Sequence, residues 1–106
     1  MASSKEYFEY ITEQLSGVEG ITSRAMMGEY ILYINGRIFG GIYDDRLLIK
    51  PVKAARELMP DAPLELPYEG AKEMLLAEDT DDKEFLKKLV MAVYPELPEP
   101  KPKKRK

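Results

Sequence analysis

Apolar residues follow two rhythms along this chain, and the changes of rhythm mark its elements. Between Ile21 and Lys50 they fall in short β-rich runs cut by turn residues. Glu29 to Ile34 and Arg37 to Tyr43 flank Asn35-Gly36, the pair that best tolerates positive φ at both centres of a type I′ turn, which predicts a tight hairpin. Asp44-Asp45 supplies a second turn into Leu47 to Lys50, and Pro51, which lacks an N–H, closes that run. Ahead of the hairpin, Ile21 to Met27 reads as another strand. Gly28 stands where a bulge or sharp corner needs a residue without Cβ. The centre of the chain is therefore expected to be a four-strand antiparallel meander.

The flanks carry the helical rhythm. Ser3 and Glu6 have capping-box spacing, and Phe8, Ile11 and Leu15 then recur at three and four residues with Tyr7 beside them. Glu6, Glu9 and Glu13 face outward, and Gly17 is expected to supply a left-handed stop. Val52 to Met59 predicts a short helix that ends before Pro60. Pro60, Pro63 and Pro67 then predict an extended connection without regular structure. Lys72 to Ala77, short and preceded by Gly70, is read as a fifth strand. Acidic residues from Glu78 to Asp82 precede the stripe of Phe85, Leu86, Leu89, Val90 and Val93, where negative charge suits a helix start, and Pro95 stops it. The expected fold is α+β in two layers, an antiparallel sheet of about five strands with helices packed on it. One domain spans residues 1–95, and a disordered proline- and lysine-rich basic tail spans 96–106.

A two-residue loop at Asn35-Gly36 sets a register of Ile34 with Arg37, Tyr33 with Ile38, Leu32 with Phe39, Ile31 with Gly40 and Tyr30 with Gly41. One face then carries Tyr30, Leu32, Phe39 and Tyr43, and the other Ile31, Tyr33, Ile38 and Ile42. Both faces are apolar, although an antiparallel sheet with one wet face alternates. The second face is therefore expected to be covered, by a later helix of this chain, by a second copy, or by a bound partner. Ile31, Tyr33, Ile38 and Ile42 form the candidate interaction face.

Composition narrows the chemistry. At 106 residues, with 44% hydrophobic and 33% charged, the chain suits one domain. The absence of cysteine removes disulfide and thiol chemistry, and the absence of histidine removes the commonest general base and metal ligand. No nucleophile elbow, phosphate-binding glycine loop or zinc-ligand set occurs, and the acids from Glu78 to Asp82 lack the glycine and terminal glutamate of a calcium loop. The expectation is a protein without catalytic residues, cofactor or metal. No apolar run approaches the roughly 20 residues of a membrane span and the start lacks a secretory pattern, so a cytoplasmic chain is expected.

Charge is unevenly spread. Lys101, Lys103, Lys104, Arg105 and Lys106 crowd the end, whereas Met1 to Pro100 holds 11 basic and 19 acidic residues, a net charge of −8. An acidic body repels phosphate backbones, so nucleic-acid association would rest on the tail, which has no aromatic to stack on bases. Solubility alone accounts for such a tail equally well. Arg24 and Lys50 could frame an anion pocket, or could serve as strand-edge ion pairs and aliphatic cover.

Arg24-Ala25-Met26-Met27-Gly28-Glu29-Tyr30-Ile31-Leu32-Tyr33, followed by Gly36, Phe39 and Leu47-Leu48-Ile49-Lys50, resembles the signature of the TfoX/Sxy family N-terminal domain. That signature runs Arg-x-Met-Phe-Gly-Gly-Tyr-Gly-Leu-Tyr, then a glycine turn, a Phe and Leu-Tyr-Leu-Lys. Here Met27 stands for the Phe, Glu29 for the second Gly, Ile31 for the third and Leu48 for the Tyr. The resemblance covers most of the chain. It implies an α+β domain like the secretion chaperones, a short single-domain member, and an association with competence regulators whose second domain this chain is too short to hold. It points to a non-catalytic protein-interaction or regulatory module, with self-association or a protein partner. The alternatives are a nucleic-acid-associated regulator acting through the tail and a small-ligand binder or enzyme.

Overall fold

The computed structural model describes residues 4–26 and 28–97. Helix α1 (Lys5–Gln14) leads into four strands, β1 (Ile21–Met26), β2 (Glu29–Ile34), β3 (Arg37–Ile42) and β4 (Leu47–Ile49). Helix α2 (Lys53–Leu58), strands β5 (Leu64–Glu65) and β6 (Met74–Leu76), helix α3 (Lys83–Val93) and a 3-10 turn (Tyr94–Glu96) follow. The strands form one antiparallel sheet in the order β1-β2-β3-β4-β6-β5. The α+β class and the meander are as expected. The sheet has a sixth strand because two residues between Pro63 and Pro67 pair with Met74 and Leu75 in the connection expected to lack regular structure.

Turn chemistry fixes the meander. Asn35 and Gly36 adopt φ 52° and 84°, as a type I′ loop requires. Asp44 and Asp45 adopt φ 55° and 56°, and Tyr43 and Arg46 exchange both backbone hydrogen bonds across them. Asp45 also reaches the first helix. Ser4 is the N-cap of α1, its hydroxyl accepting from the Tyr7 N–H at 3.1 Å, and Ser3, expected to open that helix, lies outside the described residues. The Ser4 N–H donates to Asp45 Oδ1 at 2.7 Å, so a carboxylate from the β3–β4 turn takes the place of the expected Glu6 in the box. The left-handed glycine after α1 is Gly20 (φ 87°) and not Gly17. Asp82 caps α3 by accepting from the Phe85 N–H. Helix α2 has no side-chain cap of its own at Val52, and Glu96 Oε1 accepts from the Ala54 N–H at 2.8 Å instead.

The register of β2 and β3 departs from the expected one in a way that changes both faces. Tyr33 pairs with Ile38 and Ile34 with Arg37 as read from the turn. Beyond them Leu32 pairs with Gly40, Ile31 with Gly41 and Tyr30 with Ile42. Phe39 is an extra residue in β3, a β-bulge. Every later side chain of β3 is thereby moved to the opposite face. Ile42, expected beside Ile38, is fully buried in the core, and Tyr43 joins Ile38 instead.

All three helices lie on one side of the sheet. Ile11 and Leu15 of α1, Ala55 of α2 and Leu86, Leu89, Val90 and Val93 of α3 join Leu32, Ile34, Phe39, Ile42, Leu47, Ile49 and Leu75 in a single buried cluster. Phe8 of α1 stacks on Tyr30 with ring centroids 4.0 Å apart. A helix from this chain therefore does not cover the second face among the described residues. Leu48 is buried without belonging to that cluster, as a residue of the opposite face in the middle of the sheet.

Candidate functional site

The helix-free face is built by alternation. Arg24 and Met26 of β1 stand opposite Ile31 and Glu29 of β2, Tyr33 stands opposite Ile38, and Gly41 stands between Ile31 and Leu48. Gly41 matters for what lies above it, since a Cβ there would meet the Tyr43 ring at 2.5 Å. The Tyr43 ring thus lies over bare backbone at Gly41. Together Met26, Glu29, Ile31, Ile38, Tyr43 and Tyr68 line a groove of about 650 Å³. The upper rim is Tyr68, which is 62% exposed and comes from the β5–β6 connection.

Arg46 holds that connection in place. Its Nε donates to the Tyr43 carbonyl at 3.1 Å, Nη1 pairs with Glu65 Oε1 at 2.6 Å, and Nη2 donates to the Leu66 carbonyl at 3.2 Å. One guanidinium so joins the β3–β4 turn to β5, a use of its fixed fork that lysine cannot reproduce. The Tyr68 ring is left 6.2 Å from that of Tyr43 and tilted by 54°. Among the described lining residues Glu29 is the charged one, and its Oε1 accepts from the Asp44 N–H at 3.1 Å.

These neighbours act on Tyr43. Burial raises its pKa above the usual 10.0, and Tyr68, Glu29 and Tyr33 push it in the same direction. Tyr7, on the other side of the sheet, is raised by burial and then by Tyr10 and Asp45, opposed by a hydrogen bond to the Leu47 backbone. A phenol whose folded pKa is raised favours the folded state fully below its unfolded pKa, and the benefit is lost as pH climbs through the folded one. Stability should therefore fall above about pH 10. Tyr43→Phe is expected to flatten the decline, measured as urea midpoints at pH 8 and pH 11 for both chains.

The other residues singled out in the sequence are not gathered into one place. Tyr30, Leu32 and Phe39 serve the core, while Gly28 (φ 85°) and Gly36 make the turns on either side of β2. Arg24 lies on edge strand β1 and Lys50 follows β4, with β2 and β3 between them. The Lys50 N–H closes on the Phe39 carbonyl at 2.9 Å. Ile31, Tyr33 and Ile38 share the open face as expected, and Ile42 does not. Lys101, Lys103, Lys104, Arg105 and Lys106 lie outside the described residues. Of the groove residues, Tyr43 and Tyr68 were not among the candidates, and Met26 and Glu29 entered only through the family resemblance. The alternation beyond Gly36 placed Tyr43 on the wrong face, and nothing local marks Tyr68.

The profile of the TfoX N-terminal domain matches residues 13–95, nearly the whole chain. This chain belongs to the TfoX N-terminal domain family. The TfoX N-terminal fold here is also similar, at 32% identity over 107 residues, to an uncharacterized 12.7 kDa protein in the trpE 5′ region of Spirochaeta aurantia. That likeness covers 100% of this chain and 93% of the relative. No solved structure matches. Among the described residues of this TfoX N-terminal domain, no group of three or more acidic side chains is placed to hold a metal ion. No helix of the described chain is long and apolar enough to cross a membrane.

Proposed function

We propose that this TfoX N-terminal domain is a non-catalytic protein-interaction module in a regulatory setting such as transcription or competence, and that its docking surface is the open face. The carrying observation is the sheet itself, apolar on both sides and covered by helices on one. Met26 and Ile38 are 48% and 38% exposed there, beside the ring of Tyr68. Large apolar side chains grouped at a groove with a few polar groups at its rim are the ordinary composition of a protein-binding surface. The regulatory setting is what the resemblance to the TfoX/Sxy regulators implies, and membership of the TfoX N-terminal domain family is consistent with it.

Position-specific photocrosslinking in cells tests this reading. A benzoylphenylalanine in place of Tyr68 should give discrete protein adducts, and the same group in place of Met91, an exposed residue of α3, should give none. Equal adduct patterns from the two positions, or none from Tyr68, would count against a docking role for the open face.

A further inference from the structure

The two edges of the sheet are protected unequally. In the order β1-β2-β3-β4-β6-β5 the outer strands are β5 and β1. Strand β5 is two residues long and stands between Pro63 and Pro67, and so short an edge, flanked by residues without an N–H, offers little to an incoming strand. Strand β1 is six residues long, ITSRAM, without proline, glycine, lysine or bulge, and all of it beyond Ile21 is exposed. Among the described residues only β2 pairs with it. An edge of this kind is a template for another strand.

The ladder with β2 decides which groups β1 offers. The Asn35 N–H donates to the Gly20 carbonyl at 2.9 Å, and these two residues continue the register of Ile21 with Ile34 and Thr22 with Tyr33. Backbone groups alternate in direction along an antiparallel strand, so those of Thr22, Arg24 and Met26 point to β2 and those of Ile21, Ser23 and Ala25 point outward. A two-fold axis perpendicular to the sheet at Ser23 sets Ser23 opposite Ser23, and Ile21 opposite Ala25, of a second copy. Every outward N–H and C=O of β1 then has a partner. An axis at Thr22 leaves Ala25 beyond the paired stretch, and one at Arg24 leaves Ile21 there and sets two guanidinium side chains directly opposite each other. The side chains favour the Ser23 centre as well. Thr22 meets Arg24 of the second copy on the open face. On the helix side the half-buried Ile21, which lines a crevice of about 260 Å³ with Leu15 and Val18, meets the small Ala25.

We propose that β1 pairs antiparallel with β1 of a second copy, centred on Ser23, and joins two sheets into one. The occupant is a second copy because the register that uses every outward group of β1 is also the symmetric one, so the strand is its own complement. The axis keeps the helices of both copies on one side of the joined sheet and their open faces on the other. For the docking role proposed above, and resting on it, the consequence is a pair of grooves on the same side, suited to a partner that presents two binding segments. The pairing itself is made by the backbone of β1 and stands without that role. Its area is small, so the dimer depends on concentration.

Sedimentation equilibrium of the full chain tests the pairing. At about 0.5 mM, high enough for an interface of modest area, the native protein should approach twice the 12.1 kDa of one chain. Ser23→Pro removes an outward N–H from each copy and no bond to β2, and should raise the dimer dissociation constant at least about tenfold. A native chain that stays at the mass of one copy, or a Ser23→Pro dimer of unchanged strength, would overturn the pairing. Single cysteines read the register, since the chain has none of its own. In a glutathione buffer Ser23→Cys should form a disulfide-linked dimer, because Cα atoms facing each other in a hydrogen-bonded pair lie about 5.5 Å apart. Arg24→Cys, offset across the axis, and Lys88→Cys, on the exposed side of α3, should remain unlinked. Equal linkage at the three positions would overturn the pairing too. Loss of Tyr68 adducts with the dimer intact removes the docking role alone, and a monomer that still gives Tyr68 adducts removes the pairing alone.

Discussion

Gly40→Val should destabilise the protein by about 3 kcal/mol or more, because the space beside Gly40 belongs to the backbone of the next strand. A Cβ at this position would run into the Leu48 carbonyl oxygen and sit 3.1 Å from the Cα of Ile49. Neither atom can rotate away as a side chain would. Relief requires β4 to shift, and β4 lies between β3 and β6, so the Gly40–Ile49, Leu48–Leu76 and Ile49–Leu75 pairings would all be disturbed. Urea unfolding of Gly40→Ala and Gly40→Val should show a large loss already with alanine, since the first carbon makes the clash. A loss that appears only with valine would mean that the strands are further apart than described.

Ile42→Ser is expected to cost roughly 4 kcal/mol, from lost apolar burial, the cavity left behind and a hydroxyl placed where the surroundings are hydrocarbon. Ile42 is fully buried in the core cluster and pairs with Tyr30 on one side and Leu47 on the other. A domain of this length has a total stability on the order of 5–15 kcal/mol, so the variant should be close to unfolding at 37 °C. Circular dichroism melts would show this as a lower midpoint and a broader transition.

The elements that local chemistry dictates were legible in the sequence. Asn35-Gly36 admits few loops but a type I′ turn, and the stripes of Ile11 with Leu15 and of Leu86 with Leu89, Val90 and Val93 can serve only helices on an apolar surface. The bulge was not legible. Phe39 is a good strand residue in either register, and the choice between them depends on which pairing lets Phe39 and Ile42 share the core, a contact with helices far along the chain. The neighbouring Gly40-Gly41 was the local hint, since glycine inside a strand often accompanies a bulge or a close backbone approach. Strand β5 is similarly a product of its partners, as Leu64 and Glu65 gain order from β6 and from the Arg46 guanidinium. The groove wall at Tyr68 depends on that same long-range contact, so no pattern near Tyr68 announced it.

The two isoleucines of β3 measure most directly whether the sheet is closed on one face and open on the other. Urea unfolding of Ile38→Ser and Ile42→Ser in the full chain should give a loss below about 1 kcal/mol for the first and roughly 4 kcal/mol for the second, with both chains folded at low temperature. Equal losses at the two positions would contradict the bulged register, and with it the open face on which the docking surface depends.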